Sequence, residues 1–175
     1  MHFIGAVDGM HYATDEPRPF SKSNSSFKRG GKPGLSYEFV LSIHKNRIIW
    51  VNGGFPAGMG DKTIFKEKGL MEAMAKKQRQ LGRDVRLIAD DGYTEKSLFK
   101  YLSLRNEFDP RTIAYFKDRA LSRQETFNGK TKNYRCLTAV FLHSHDLHRQ
   151  CVESICVTLQ LEMDVGLLDL FDAYI

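Results

Sequence analysis

The spacing of the apolar residues changes near Asp61, and that change limits the possible folds of this 175-residue chain more than any other feature. Before it, apolar residues come in short runs. Phe3 to Asp8 is closed by Asp-Gly and predicts a buried strand ending in a turn. Ser36 to Phe55 predicts a hairpin, with Lys45-Asn46 at its turn and Gly53-Gly54 closing the second strand. From Asp61, a candidate N-cap, the residues Ile64, Phe65, Leu70, Met71 and Met74 fall at helical spacing, and Gly82 supplies the stop. Val85 to Ala89 predicts a strand ending at Asp90, and a short helix follows from Thr94. The last long helix begins at Asp109-Pro110, read as an N-cap and a first-turn proline, with Ile113, Phe116, Ala120, Phe127 and Tyr134 as its apolar stripe. A final helix spans Asp146 to Met163, with Val152, Ile155, Cys156 and Leu159 inward. Three strands, a helix, a strand, a helix, room for one more strand and then long helices predict an α/β fold with a mixed sheet.

At 20.1 kDa the chain suits one domain over residues 1–175, large enough to bury roughly 70% of its unfolded surface. No run approaches the roughly 20 apolar residues that a membrane helix needs. From Asp146 onward one basic residue, Arg149, meets six acids, so the tail carries −5 and residues 1–145 carry +10 within a net charge of +5. A basic body suits a polyphosphate partner, because neutralising phosphates releases counterions. Thr14 to Gly34 is a long aperiodic stretch rich in Pro, Ser and Gly that carries Lys28, Arg29 and Lys32. A stretch of this kind either grips a nucleic-acid backbone or is a solvated insert. Cys136, Cys151 and Cys156 are too few and wrongly spaced for a zinc site or a disulfide framework, which points to a reducing, intracellular compartment.

Three acids end or follow apolar runs: Asp8 in GAVDGMHY, Asp90 in VRLIADDGY and Glu125 in RALSRQETFNGKTKN. Carboxylates are the hard oxygen ligands that Mg²⁺ or Mn²⁺ prefers. A pair of such ions roughly 3.5 to 4 Å apart can activate a water and steady a leaving oxygen in phosphodiester hydrolysis. Asp91 competes with Asp90, but the side chain after a strand's last inward residue points to the other face, which leaves it a turn residue or a substitute ligand. Arg119, Arg123, Lys130, Lys132 and Arg135 surround Glu125. Lys132 returns to nearly the same side of the helix, where it is either a phosphate contact or a solvated lysine. His143, His145 and His148 stand near a helix start without a partner acid and read as surface residues.

Taken in order, Asp8, the Asp90-Asp91-Gly92-Tyr93 turn and Glu125 followed by Asn128, Gly129 and Lys132 resemble the DDE superfamily endonucleases, specifically the PIF/Harbinger-like transposase catalytic domains. The likeness runs from about residue 3 to residue 172. It implies an RNase H-like fold and a DNA endonuclease or transposase core with two divalent metal ions (Mg²⁺ or Mn²⁺). Asp8, Asp90 and Glu125 would be both catalytic residues and metal ligands, with Lys28, Arg29, Lys32, Arg123 and Lys132 toward DNA. A nuclear location and a homodimer are also in keeping with it. The family's separate N-terminal recognition region has no counterpart before Asp8, so targeting by a second DNA-binding protein is expected. A domesticated or truncated, catalytically inactive nucleic-acid-binding domain of the same fold is the alternative. A phosphohydrolase with Asp8 as nucleophile is disfavoured because Gly-Met-His-Tyr-Ala follows it instead of a D-x-D-x-T pattern.

Overall fold

The computed structural model describes residues 2–15 and 25–170. Its centre is β1 (His2–Ala13), whose alternating side chains serve two layers. Met10 and Tyr12 enter one core and Ala6 a smaller one on the same face, and Val7 enters the core on the other face. Against β1 runs β3 (Lys32–Ser42), antiparallel from Gly5↔Ser42 to Ala13↔Gly34. Nearly every residue of β3 is buried, because both of its faces are covered and both of its edges are paired. The other neighbours are β4 (Ile48–Pro56) on β3, a two-residue β2 (Lys28–Arg29) folded back on the start of β3, and β5 (Val85–Ile88) parallel to β1. The short β6 (Leu102–Ser103) is parallel to β5 and supplies the additional strand for which the sequence left room.

Helices cover both faces. On one lie α1 (Asp61–Glu67) and α2 (Leu70–Leu81), where Phe65, Leu70 and Met74 pack on Val7, Val40 and Leu87. On the other lie α3 (Arg111–Thr131), the single turn α4 (Arg135–Thr138) and α5 (His145–Asp164), which close over Tyr12, Phe39 and Leu41 with Phe127, Val152 and Leu159. Each of these side chains contributes roughly 1.5–3 kcal/mol of burial. The result is an RNase H-like α/β arrangement: a mixed sheet flanked by helices.

Four expectations change. β1 does not end at Asp8 but continues to Ala13, because β3 pairs with it along that whole length. Two 3₁₀ turns, Asp91–Tyr93 and Lys96–Leu98, replace the short helix expected from Thr94. Asp61 is the first residue of α1 and Gly60 its N-cap, so the Asp61 carboxylate is not used in capping. Likewise Pro110 is the N-cap of α3, while Asp109 accepts a 2.7 Å ion pair from Lys117. Part of the basic stretch from Thr14 to Gly34 lies outside the described residues. Its second half forms the β2–β3 hairpin, in which Gly30 and Gly31 both take positive φ, as a tight two-residue turn requires. No helix among the described residues is long and apolar enough to cross a membrane.

Candidate active site

The parallel register of β1 and β5 builds the site. Ala6 pairs with Ile88, and β5 then ends. Two residues further along, Asp8 and Asp90 stand level on neighbouring chain segments. By alternation they lie on the same face as Ala6 and Ile88, which pack on Ala120 and Leu121 of α3. From that point β1 has β3 on one side and an open edge on the other, until the Phe141 segment bonds to it at Ala13. This is the crevice beyond a strand's carboxyl end, where α/β folds place ligands.

A cavity of about 60 Å³ there is lined by Asp8, Asp90, Arg105, Leu121, Gln124 and Glu125. The three acids singled out in sequence therefore face one space, two from the sheet and one from α3. Asp8 is held firmly: its Oδ1 accepts the Gly9 N–H at 2.8 Å and its Oδ2 accepts Asn128 Nδ2 at 2.6 Å. Burial, then the charge of Asp90 and that of Asp61, push the Asp8 carboxyl up to about 6 against the pull of those two bonds. Asp90 extends from the strand end and accepts the Gly92 N–H at 3.0 Å, which closes the turn. Asp91 lines a separate groove of about 730 Å³ with Phe3, Thr94 and Lys117. Glu125 is exposed on α3, while its neighbours Gln124 and Asn128 are buried.

The donor set is all carboxylate oxygen, packed closely enough that like charges raise Asp8, and such a set suits a hard divalent cation. Among the described residues no three His, Cys, Asp or Glu side chains already stand at mutual chelating distance.

The basic residues separate into distinct groups. Lys28, Arg29 and Lys32 occupy the β2–β3 hairpin, with Arg29 and Lys32 exposed. Arg29 reaches Asp61 at 3.7 Å, which sets the hairpin beside the acids. Lys132 is exposed at the C-cap of α3. Arg123 does not fit the expectation of a DNA contact. It is 6% exposed and donates to the Ser42 carbonyl at 3.3 Å. Ser42 pairs with Gly5, roughly 10 Å back along β1 from Asp8. Of the three histidines, His148 is fully buried and bonded to the Tyr37 hydroxyl at 2.8 Å, so it is not a surface residue.

Three participants escaped the sequence reading. Asn128, in sequence only part of a motif, is the side chain that fixes Asp8. Arg105 lines the acidic cavity while pairing with Asp118 at 2.8 Å. Asp61 lies on the opposite face of β1, directly over Gly9, where even a Cβ would collide with its Oδ1.

A family model described as DDE superfamily endonuclease matches residues 7–160. Comparison with curated proteins and with solved structures gives no match.

Proposed function

Because the chain belongs to the DDE superfamily endonucleases, we propose that it is a divalent-metal-dependent DNA endonuclease core of the PIF/Harbinger transposase type, acting at the cavity shared by Asp8, Asp90 and Glu125. The observation that carries this reading is the convergence of these acids from β1, the end of β5 and α3. The Asp8 carboxyl is raised to about 6 by burial and by its acidic neighbours. Two divalent cations held by these carboxylates would supply an activated water and stabilise the leaving oxygen. The chain's own residues do the rest. Asn128 and the Gly9 N–H fix the Asp8 oxygens, and the closed turn at Gly92 fixes Asp90. Arg105 presents a guanidinium to a phosphate at the cavity. Lys28, Arg29 and Lys32 on one side and Lys132 on the other carry the flanking backbone. Such contacts hold no base information, so targeting falls to a second DNA-binding protein or domain, and in a eukaryotic cell the family resemblance favours the nucleus as the place of action.

Nicking of supercoiled plasmid in Mn²⁺ tests the proposal. Asp8→Asn, Asp90→Asn and Glu125→Gln should each abolish nicking while circular dichroism stays unchanged, and Asp91→Asn should retain most of it. A wild-type chain that binds DNA but never nicks it would favour the inactive binding domain. An inactive Asp91→Asn beside an active Asp90→Asn would reverse the assignment at the turn.

A further inference from the structure

The face of β1 away from Glu125 holds a second group of polar side chains. Asp61 is carried there by the first turn of α1 and pressed against the Gly9 backbone, one residue from Asp8. Its Oδ2 lies 3.7 Å from the position a Cβ would take on Gly92, and Asp90 Oδ1 lies 3.0 Å from the same point. The carboxylates of Asp61 and Asp90 thus both border one glycine, at the edge that Asp8 and Asp90 share. Asp61 Oδ1 is buried and has no hydrogen-bond partner.

What stands behind Asp61 is also buried. Glu38, on β3 beside Gly9, is 1% exposed, and its carboxyl faces the Trp50 indole N–H, which opposes the rise that burial imposes on it. The Tyr93 hydroxyl is fully buried and has no hydrogen-bond partner. The acids that act on it are, in order, Glu38, Asp61, Asp8 and Asp90, which places it within this group. A buried polar atom without a partner is costly, so Asp61 Oδ1 and the Tyr93 hydroxyl together favour a bound species beside them. Asp61 and Asp90 bring carboxylate acceptors here, and the positive charge nearest Asp61 is the exposed Arg29 at 3.7 Å. That is a long contact, which a cation can replace.

We propose that Asp61 is a fourth carboxylate ligand of the metal centre, reaching a divalent cation from the α1 face of β1 beside Asp90, with Glu38 and Tyr93 as the buried wall that fixes its position. The inference rests on the metal centre proposed above and extends it by one ligand. It also accounts for glycine at positions 9 and 92. A side chain at Gly9 would displace Asp61, and one at Gly92 would crowd the gap between Asp61 and Asp90.

The test is Mn²⁺ titration followed by the electron paramagnetic resonance of the free ion, with wild type, Asp8→Asn, Asp61→Asn and Asp61→Ser, alongside thermal melts in EDTA. Asp61→Asn keeps the shape, and Asp61→Ser removes bulk if the amide is not tolerated over Gly9. Both Asp61 variants should lose about tenfold or more in Mn²⁺ affinity while melting in EDTA no lower than wild type, because the change relieves acidic crowding. Full Mn²⁺ affinity in both Asp61 variants, with affinity lost in Asp8→Asn, would overturn this inference alone. Affinity lost together with stability in EDTA would make Asp61 a structural residue and also overturn it. Absence of Mn²⁺ binding by wild type would overturn both this inference and the metal centre on which it rests.

Discussion

Replacing Asp8 by asparagine should make the metal-free protein more stable. The Asp8 carboxyl is raised from 3.8 to about 6 by burial and by Asp90, with Asp61 adding to it. A shift of about two units corresponds to roughly 3 kcal/mol, lost from the folded state once the group is ionised. Asparagine removes that cost but offers one carbonyl oxygen in place of two. The Gly9 N–H and Asn128 Nδ2 both donate to Asp8, so one of the two bonds goes, at about 1 kcal/mol. The net gain is about 2 kcal/mol at pH 7.5 in EDTA, or a rise of about 4–8 °C in melting temperature for a chain of this size.

The pH dependence identifies the cause. As pH falls from above 6 toward 4, native Asp8 takes up its proton before the unfolded chain does. Wild type thus regains the stability that ionisation had removed, and the gap to the variant closes. Saturating Mn²⁺ should reverse the ranking at pH 7.5, since a cation at about 100 times its dissociation constant stabilises the protein that binds it by about 2.7 kcal/mol. Urea melts of the two proteins at pH 4 and 7.5, with EDTA or Mn²⁺, contain the whole comparison. An asparagine variant that is less stable than wild type at pH 7.5 in EDTA, or a gap that does not change with pH, would refute the account of Asp8 as a crowded, metal-requiring carboxylate.

Three further outcomes follow from a buried histidine and from the basic residues. Burial, with His145 adding, pulls His148 down to about 4 from 6.5, so its contribution is fully present above pH 6.5 and is lost as pH falls through 4. The loss approaches 3 kcal/mol, and His148→Gln, which still offers Tyr37 an acceptor, should flatten that part of a stability–pH curve. Arg123→Ala should lower stability by about 2 kcal/mol and leave DNA affinity unchanged, because the guanidinium is buried against Ser42. Arg29→Ala and Lys32→Ala should instead leave stability nearly alone and weaken DNA binding, with a smaller dependence of affinity on salt as measured by fluorescence anisotropy.

The strands and helices were legible where a local period was long enough to read, and they failed where a distant partner decides the outcome. Met10 and Tyr12 alternate with Gly9 and His11, so the continuation of β1 was visible as a period of two, but Asp8-Gly9 also has the composition of a turn. Gly9 is there for another reason: Asp61 occupies the space that a Cβ would need. β6 has two residues, too few to carry any period. The burial of His148 depends on Tyr37, more than a hundred residues earlier, and nothing within its own helix announces it.

The same distinction explains why the three acids could be found and the fourth could not. Asp8, Asp90 and Glu125 each follow or flank an apolar run, so the elements that carry them are recognisable one at a time. Asp61 has the position and chemistry of a helix cap, and only the three-dimensional packing of α1 on β1 shows that Gly60 takes that role and leaves the carboxylate over Gly9. The buried face of α3 makes the same point. Lys117, Arg123, Gln124 and Asn128 are inside, whereas Phe116 of the expected apolar stripe is 39% exposed. Gln124 and Asn128 face the acids, while Lys117 and Arg123 are drawn in by Asp109 and the Ser42 carbonyl, so an apolar stripe no longer marks the inner face of α3. What finally sets the acids together is the pairing of Ala6 with Ile88, which brings residues 8 and 90 level, and no property of either strand alone specifies that register.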